Sequence, residues 1–242
     1  RTVLFLYQRS DTLVVVSRAF IDPITERGVD PTKIEYYPNG IDPSFYITDG
    51  EPPASFPDLE DDFTVTYVGT IGRAHGLSVV IDAARDLSDA QFIIVGDGAE
   101  REQLEEEAAD LDNVVFTGRR PKAEVPHYLE AADAALVHLK PRDVLETVIP
   151  SKLLEAMAAG LPVILGVSGE AERILTEAGA GITIEPGNAA ELSEATRELR
   201  DDEKQRAQYG EQGYEYVIQE FNWETIATEY LETIQNAHTP SL

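Results

Sequence analysis

The chain contains 242 residues, 43% of them hydrophobic, and it has no cysteine. Its 45 Asp and Glu residues outnumber its 19 Lys and Arg residues, which gives a formal net charge of −26 at pH 7. This composition excludes a disulfide framework, thiolate chemistry and a basic face for nucleic acid. The acidic residues lie between ordinary apolar segments, so we interpret them as a charged coat suited to high salt, as in a halophile. An acidic protein of an ordinary mesophile is the alternative.

The four histidines are scattered along the chain, and no pair has the spacing of metal ligands, so we expect no metal site. No apolar run approaches the roughly 20 residues needed to span a bilayer. We therefore expect a cytoplasmic protein without a transmembrane segment or a signal peptide. The sequence makes no prediction about the oligomeric state.

Residues 1–48 carry signals for two short strands around one helix, followed by a turn. In chain order, these predicted elements cover residues 12–16, 17–27, 33–37 and 38–40. Ser17 is the expected N-cap of the helix, and Gly28 is its expected end. Residues 49–62 are rich in proline and acidic residues without any period, so we interpret them as a linker between domains.

From residue 63 onward, predicted strands alternate with predicted helices. The strands cover residues 63–68, 91–95, 113–117, 134–139, 163–165 and 181–184. Helices cover residues 77–87, 99–109, 124–132, 170–178, 189–199, 203–219 and 223–236, and one more follows Ser151. This alternation predicts an α/β fold with a Rossmann-like, doubly wound parallel sheet.

The segment 148–164 reads as loop, helix, turn and strand. Ser151 is the expected N-cap, and Gly160 is the expected left-handed stop. Lys152 lies in the first turn, where a cation is unfavourable beside the helix dipole unless an anion is bound. Glu155 shares its face and can accept hydrogen bonds from sugar hydroxyls. We interpret this segment as a phosphate site followed by a polyol site; an amphipathic helix with a solvated Lys–Glu pair is the alternative.

Glycines follow three predicted strands, at the sheet edge where ligands of such folds bind. They are Gly69, Gly72 and Gly76, then Gly96 and Gly98, then Gly118. Glycine lets the backbone approach a phosphate or a sugar closely. The first set has the spacing G-x-x-G-x-x-x-G, which differs from the dinucleotide fingerprint and from the Walker loop. Tight turns that need glycine only for packing are the alternative.

Several polar side chains accompany these glycines. The candidates for contact with an anion or a sugar are Arg73, His75, Arg119, Arg120, Lys140, Arg142 and Glu146. Each has a simpler interpretation as a solvated loop residue, and Arg142 has Asp143 beside it as a partner. Asp97 is interpreted as a helix cap, and Phe221 and Trp223 as packing anchors.

Taken in order, these segments resemble the nucleotide-binding half of retaining GT-B glycosyltransferases, specifically family 4. The matching segments are residues 65–76, 95–98, 115–118, 132–137, 151–164 and 179–188. Residues 147–152 most resemble the subgroup that builds surface polysaccharide and lipid-linked glycans from UDP-linked sugars. Residues 13–17 and 37–42 resemble the end of the acceptor domain and the interdomain crossing.

The resemblance implies a division into four parts. They are a remnant of the acceptor domain at residues 1–48, the linker at 49–62, a nucleotide-sugar-binding domain at 63–220, and a helix at 221–242 that packs back toward the N-terminal domain. It also implies that most of the acceptor domain lies outside this chain. We therefore expect the chain to be inactive alone, and the full-length protein to act in the cytoplasm or at the inner face of the membrane.

The resemblance carries over unevenly to individual residues. It assigns the ribose hydroxyls to Glu155, but the family's other glutamate falls on Thr147, and its phosphate-binding Arg and Lys fall on Thr70 and His75. We expect Lys152, the helix tip at Ser151 and Arg73 to take over the phosphate contacts. Lys152 and Glu155 are the catalytic candidates. The remaining donor-binding candidates are Gly69, Gly72, His75, Gly96, Gly118, Arg119, Arg142, Glu146 and Ile149.

The implied reaction moves a sugar from a nucleoside diphosphate, UDP by family preference, to a hydroxyl of a glycan or lipid-linked acceptor. The anomeric configuration is retained, the nucleotide sugar is a substrate, and neither a cofactor nor a metal is required. Three alternatives stay open. They are a nucleotide-sugar-binding module without catalysis, a GT-B epimerase of UDP-sugars and, least favoured by the glycine spacing, a nicotinamide-dependent reductase.

Overall fold

The computed structural model describes residues 2–48, 52–53, 56–57 and 63–237. The N-terminal part, residues 2–48, contains α1 (Thr2–Arg9), β1 (Leu13–Val15), α2 (Ile21–Thr25) and β2 (Ile34–Tyr36). Strands β1 and β2 pair in parallel as a two-stranded sheet. The predicted linker lies almost entirely outside the described residues, and the predicted division into domains stays a prediction.

The prediction of one helix over residues 17–27 is wrong. Ser17 instead caps a 3₁₀ turn, Arg18–Phe20, through the N–H of Ala19 at 3.3 Å, and α2 begins only after it. Pro23 explains the break, because proline lacks the N–H that a helix interior needs and is tolerated within a first turn. Gly28, with φ of +85°, ends the segment as expected.

The main sheet contains six parallel strands. They are β3 (Phe63–Val68), β4 (Ala90–Val95), β5 (Val114–Gly118), β6 (Ala134–His138), β7 (Val163–Gly166) and β8 (Gly181–Thr183). Their spatial order is β5-β4-β3-β6-β7-β8, so the order reverses between β3 and β6. This is the strand order of a Rossmann-type sheet, and the predicted fold class is confirmed.

Helices follow the strands and cover both faces of the sheet. They are α3 (Ser78–Asp86), α4 (Arg101–Glu107), α5 (Val125–Glu130), α6 (Ser151–Ala158), α7 (Glu170–Ala178), α8 (Ala189–Asp201), α9 (Glu203–Glu220) and α10 (Trp223–Ala237). Strand β4 is buried along its whole length: Phe92 and Ile94 pack in one core, and Ile93 and Val95 pack in another. Within the described ranges, no helix combines the length and the apolar character needed to cross a membrane.

Two predictions about helix termini have opposite outcomes at α6. The stop at Gly160 is confirmed: its φ is +71°, and the N–H of Leu161 bonds the carbonyl of Ala156 at 3.1 Å. The predicted N-cap at Ser151 is wrong, because Pro150 is extended and occupies the cap position, so Ser151 is already helical and exposed. Among the described residues, no side chain caps the N-terminus of α6.

Two other interpretations of single residues are also wrong. Asp97 does not cap α4, which starts four positions later; its carboxylate accepts the N–H of Gly98 at 2.8 Å instead. Trp223 is 55% exposed, although its backbone and one ring edge lie against Gly40. Phe221, by contrast, is buried as expected.

The N-terminal part is joined to the end of the chain. The N–H of Ile41 bonds the carbonyl of Phe221 at 2.8 Å, and the N–H of Trp223 bonds the carbonyl of Ile41 at 3.0 Å. Further along α10, the ring of Tyr37 packs on Tyr230 with 5.4 Å between the centroids. Main-chain and aromatic contacts therefore fix α10 to the N-terminal part.

Asn113 provides a test of what holds the β4–β5 edge together. Its side-chain amide donates to the carbonyls of Ala84, Leu87 and Ala90 at 3.1, 2.7 and 3.0 Å. We expect Asn113→Ala to lower the free energy of unfolding by about 2 kcal/mol, because three carbonyls each lose the hydrogen bond from the Asn113 amide. Urea unfolding measures this change, and Asp112→Ala, at the exposed neighbouring position, serves as the control. Equal stability of the two variants would contradict this assignment.

Candidate functional site

Loops from adjacent strands touch at the carboxyl edge of the sheet. A Cβ at Gly96 would lie 1.8 Å from the carbonyl oxygen of Gly69, and one at Gly98 would lie 2.2 Å from that of Ile71. The same loops are joined by the hydrogen bond from the N–H of Ile71 to the carbonyl of Asp97, at 2.9 Å. Packing alone therefore requires glycine at positions 96 and 98, whatever else these residues contact.

Lys152 reaches from the first turn of α6 to the loop that follows β3. Its Nζ donates to the Tyr67 hydroxyl at 2.7 Å, and that hydroxyl donates to the carbonyl of Thr70 at 2.8 Å. A Cβ at Gly69 would lie only 2.7 Å from the same Nζ. Burial lowers the pKa of Lys152 to about 8, and the charge of Glu155 opposes the decrease. The ammonium thus lies beside Gly69 with a neutral phenol as its hydrogen-bond partner.

His75 lies in the same loop, which we define as the glycine loop, residues 69–76. Burial, followed by the charge of Lys152, lowers the pKa of His75. The imidazole is therefore neutral near pH 7 and offers a hydrogen bond rather than a positive charge. Arg73 in the same loop is exposed.

Glu155 lies one turn after Lys152 and is half-buried. It lines a cavity of about 620 Å³ between α6 and the N-terminal part, which we call the Glu155 cavity. Its walls include Ser17, Asn39, Asp42, Phe45, Tyr46, Lys122, Ile149 and Ser151. Burial and the neighbouring Glu155 carboxylate raise the pKa of Tyr46, so the tyrosine stays a neutral neighbour.

A second cavity, of about 830 Å³, lies between the glycine loop and the segment after β5; we call it the glycine cavity. Its walls include Gly69, Thr70, Gly96, Asp97, Gly98, Arg119, Arg120 and Lys122. Lys122 lines both cavities, and its Nζ lies 4.9 Å from the centroid of the Phe45 ring. The two cavities therefore adjoin at Lys122.

The structure does not bring all the predicted site residues together. Gly69, Gly96 and Arg119 line the glycine cavity, whereas Ile149, Ser151 and Glu155 line the other.

Arg142 and Glu146 line a separate small cleft beside Ser168. Both side chains are exposed, and the backbone of Glu146 accepts the N–H of Glu170 at 2.8 Å.

Charge is distributed unevenly over the molecule. Five arginines of the described chain lie within 4.0 Å of a carboxylate, namely Arg85, Arg101, Arg173, Arg200 and Arg206. In the described part of the chain, the ion pairs include none with Arg119, Arg120, Lys122 or Lys152. The carboxyl edge therefore presents unpaired cations within an otherwise acidic protein, which suits an anionic ligand.

Three residues of the site escaped the sequence analysis as candidates: Tyr67, Lys122 and His138. Tyr67 lies near the end of a strand that the sequence predicts to be buried, so its hydroxyl drew no attention. Lys122 is one of only five lysines in the chain. Lys122 also lies only two residues after Arg120, so its rarity and position together are a usable signal. His138 ends a buried strand, and only the fold reveals what its ring contacts.

Comparison with known proteins agrees with this geometry. The sequence profile described as "Glycosyl transferases group 1" matches residues 52–216. A GDP-mannose-dependent monoacylated alpha-(1-6)-phosphatidylinositol monomannoside mannosyltransferase of Corynebacterium glutamicum is 36% identical over 61% of this chain and 39% of its own length. A related mannosyltransferase of Mycobacterium tuberculosis is 27% identical over 84% of this chain and 56% of its own.

Solved structures share the fold. Anabaena Alr3699/HepE in complex with UDP superposes with a TM-score of 0.82, at 22% identity over 98% of this chain and 67% of that protein. WaaG, a glycosyltransferase involved in lipopolysaccharide biosynthesis, superposes with a TM-score of 0.69, at 22% identity over 90% of this chain and 61% of that protein. The chain has the Rossmann-like fold of GT-B glycosyltransferases and spans about half the length of its curated relatives. It belongs to the group 1 glycosyl transferases.

Proposed function

We propose that this chain is the donor-binding half of a retaining glycosyltransferase that uses a nucleoside diphosphate sugar. The observation that carries the proposal is Lys152, a partly buried ammonium at the uncapped N-terminus of α6, beside the glycine loop and one turn before Glu155. Ammonium, helix N-terminus and loop amides suit a diphosphate, and the carboxylate suits the ribose hydroxyls.

In the proposed reaction, the bond from the anomeric carbon to the diphosphate breaks. A bond to the acceptor oxygen forms on the same face of the sugar. Lys152 and the helix N-terminus stabilise the negative charge that develops on the departing diphosphate, so no metal is needed for this role. The proposed acceptor is a glycan or a lipid-linked molecule. The names of two relatives support this, because both include phosphatidylinositol monomannoside.

We propose uracil as the nucleotide base of the donor, with guanine as the alternative. Uridine is implied by the family resemblance, and UDP is bound in the Anabaena protein. Guanine is the alternative, since two relatives are named as GDP-mannose-dependent.

A second candidate function is a nucleotide-sugar-binding module without catalysis. Two observations favour it: His75 is neutral where the family carries a cation, and Thr147 replaces a carboxylate. The hydroxyl of Thr147 donates to the carbonyl of Val144 at 3.0 Å, so it is engaged locally. Sugar transfer by the full-length protein would exclude this alternative.

Calorimetric titration of the chain with UDP, GDP and ADP tests the donor site. We expect one nucleotide to bind, and Lys152→Ala and Glu155→Ala each to weaken it by at least about tenfold, because each removes a charged hydrogen-bonding group. Lys204→Ala, which removes an exposed lysine on α9, is the control for the change of charge. EDTA should leave the affinity unchanged. Full affinity in both site variants would overturn the proposal, and efficient transfer by this chain alone would overturn its expected inactivity.

The affinity should also depend on pH through Lys152, whose pKa is about 8. Only the ammonium form attracts a diphosphate, so affinity is full below pH 8 and falls by about tenfold per unit above it. Binding near pH 8 should therefore take up a proton, which titrations in buffers of different ionisation enthalpy detect. Lys152→Arg keeps its charge and should bind without this dependence. A flat profile for the unmodified protein would contradict the assigned role of Lys152.

We further propose that the acidic coat adapts the protein to high salt, in the cytoplasm or at the inner face of the membrane. The formal charge of −26 creates self-repulsion that salt screens. The midpoint of thermal unfolding should therefore rise between low salt and molar KCl. The same midpoint at both salt concentrations would favour an acidic protein of an ordinary mesophile.

A further inference from the structure

His138 ends strand β6 with a fully buried imidazole whose two nitrogens both have partners. Its Nδ1 lies 2.6 Å from the carbonyl oxygen of His75, in the glycine loop after β3. Its Nε2 lies 2.8 Å from the backbone nitrogen of Gly187, in the turn between β8 and α8. One side chain therefore links the glycine loop to a turn on the far side of β7.

The two contacts determine the protonation of the ring. Because the N–H of Gly187 donates to Nε2, that nitrogen carries no proton; Nδ1 carries it and donates to His75. Burial lowers the pKa of His138, and the positive charges of Lys140 and Lys152 lower it further. The neutral Nδ1–H form is thus the one that fits both partners.

The surroundings are shaped for an imidazole. A Cβ at Gly166 would lie 2.4 Å from Cδ2 of His138, and one at Gly76 would lie 3.3 Å from its Cε1. A second hydrogen bond also reaches the glycine loop from the end of β6: the N–H of Lys140 donates to the carbonyl of Ala74 at 2.8 Å. An apolar side chain at this position would fill the space but remove the hydrogen bonds to the His75 carbonyl and the Gly187 N–H.

We propose that His138 is a positioning residue for donor binding, which holds the glycine loop in the backbone conformation that receives the diphosphate by anchoring it to the turn before α8. The inference rests on the proposed function. The hydrogen bond to His75 is then the contact that affects donor binding. The hydrogen bond to Gly187 anchors the imidazole ring.

Two variants separate the effects of the two hydrogen bonds. In His138→Asn the amide nitrogen takes the place of Nδ1 and keeps the bond to His75, but the side chain is too short to reach Gly187. In His138→Gln the terminal oxygen takes the place of Nε2 and keeps the bond to Gly187, but the bond to His75 is lost. Each variant removes the ring and one hydrogen bond, and the free energy of unfolding of each, measured in urea, shows what that loss costs.

We expect titration with UDP and GDP to give about the unmodified affinity for His138→Asn and an affinity about tenfold lower for His138→Gln, because only the second frees the loop. Equal losses in both variants would mean a structural role alone, and no loss in either would overturn the proposal.

Hydrogen exchange of the ligand-free proteins separates failure of this inference from failure of the proposed function. The amides of Ile71 and His75, both hydrogen-bonded in the glycine loop, should exchange faster in His138→Gln than in His138→Asn. The amide of Gly187 should show the reverse order. If the unmodified chain binds no nucleotide, the proposed function fails and the donor role of His138 fails with it, whereas the exchange pattern still decides whether the ring anchors the loop. Equal exchange in both variants would overturn that anchoring.

Discussion

One partly buried ammonium group is the interaction on which the proposed donor site depends. Lys152 lies largely out of water, beside the positive end of a helix, and is hydrogen-bonded to a phenol that stays neutral. Burial and the helix end both disfavour a positive charge, and a bound anion would offset both. Gly69 has no side chain, which leaves room beside the ammonium for such an anion.

The carboxyl edge of the sheet suggests how so acidic a protein could bind the proposed diphosphate. Four cations gather there without an ion pair among the described residues, although the whole molecule carries a formal charge of −26; they are Arg119, Arg120, Lys122 and Lys152. At high ionic strength the long-range repulsion is screened over a few ångströms, and the short-range contacts of a buried group survive. Salt is therefore expected to change the association rate of the proposed nucleotide more than its affinity.

Local sequence signals were sufficient for the fold and for half of the site. Glycine at strand ends, Gly160 after α6 and apolar strands such as β4 each follow from backbone sterics or burial, so the predicted sheet is confirmed. The N-cap prediction at Ser151 failed because the preceding proline occupies the cap position. Residue preferences alone do not show which of two neighbouring residues will be the cap. Lys122 and His138 depend on partners distant in sequence, Phe45 for one and His75 and Gly187 for the other. Such partners become visible only when the strand order is known.

The pairing of Ile41 with Phe221 and Trp223 has a consequence for the order of folding. These main-chain bonds close a loop of roughly 180 residues, and the closure entropy of so long a segment is offset only when the intervening sheet is already compact. The segment around Ile41 is synthesised well before its partners at Phe221 and Trp223. During synthesis, roughly 180 further residues must therefore be added before α10 can fix the N-terminal part in place.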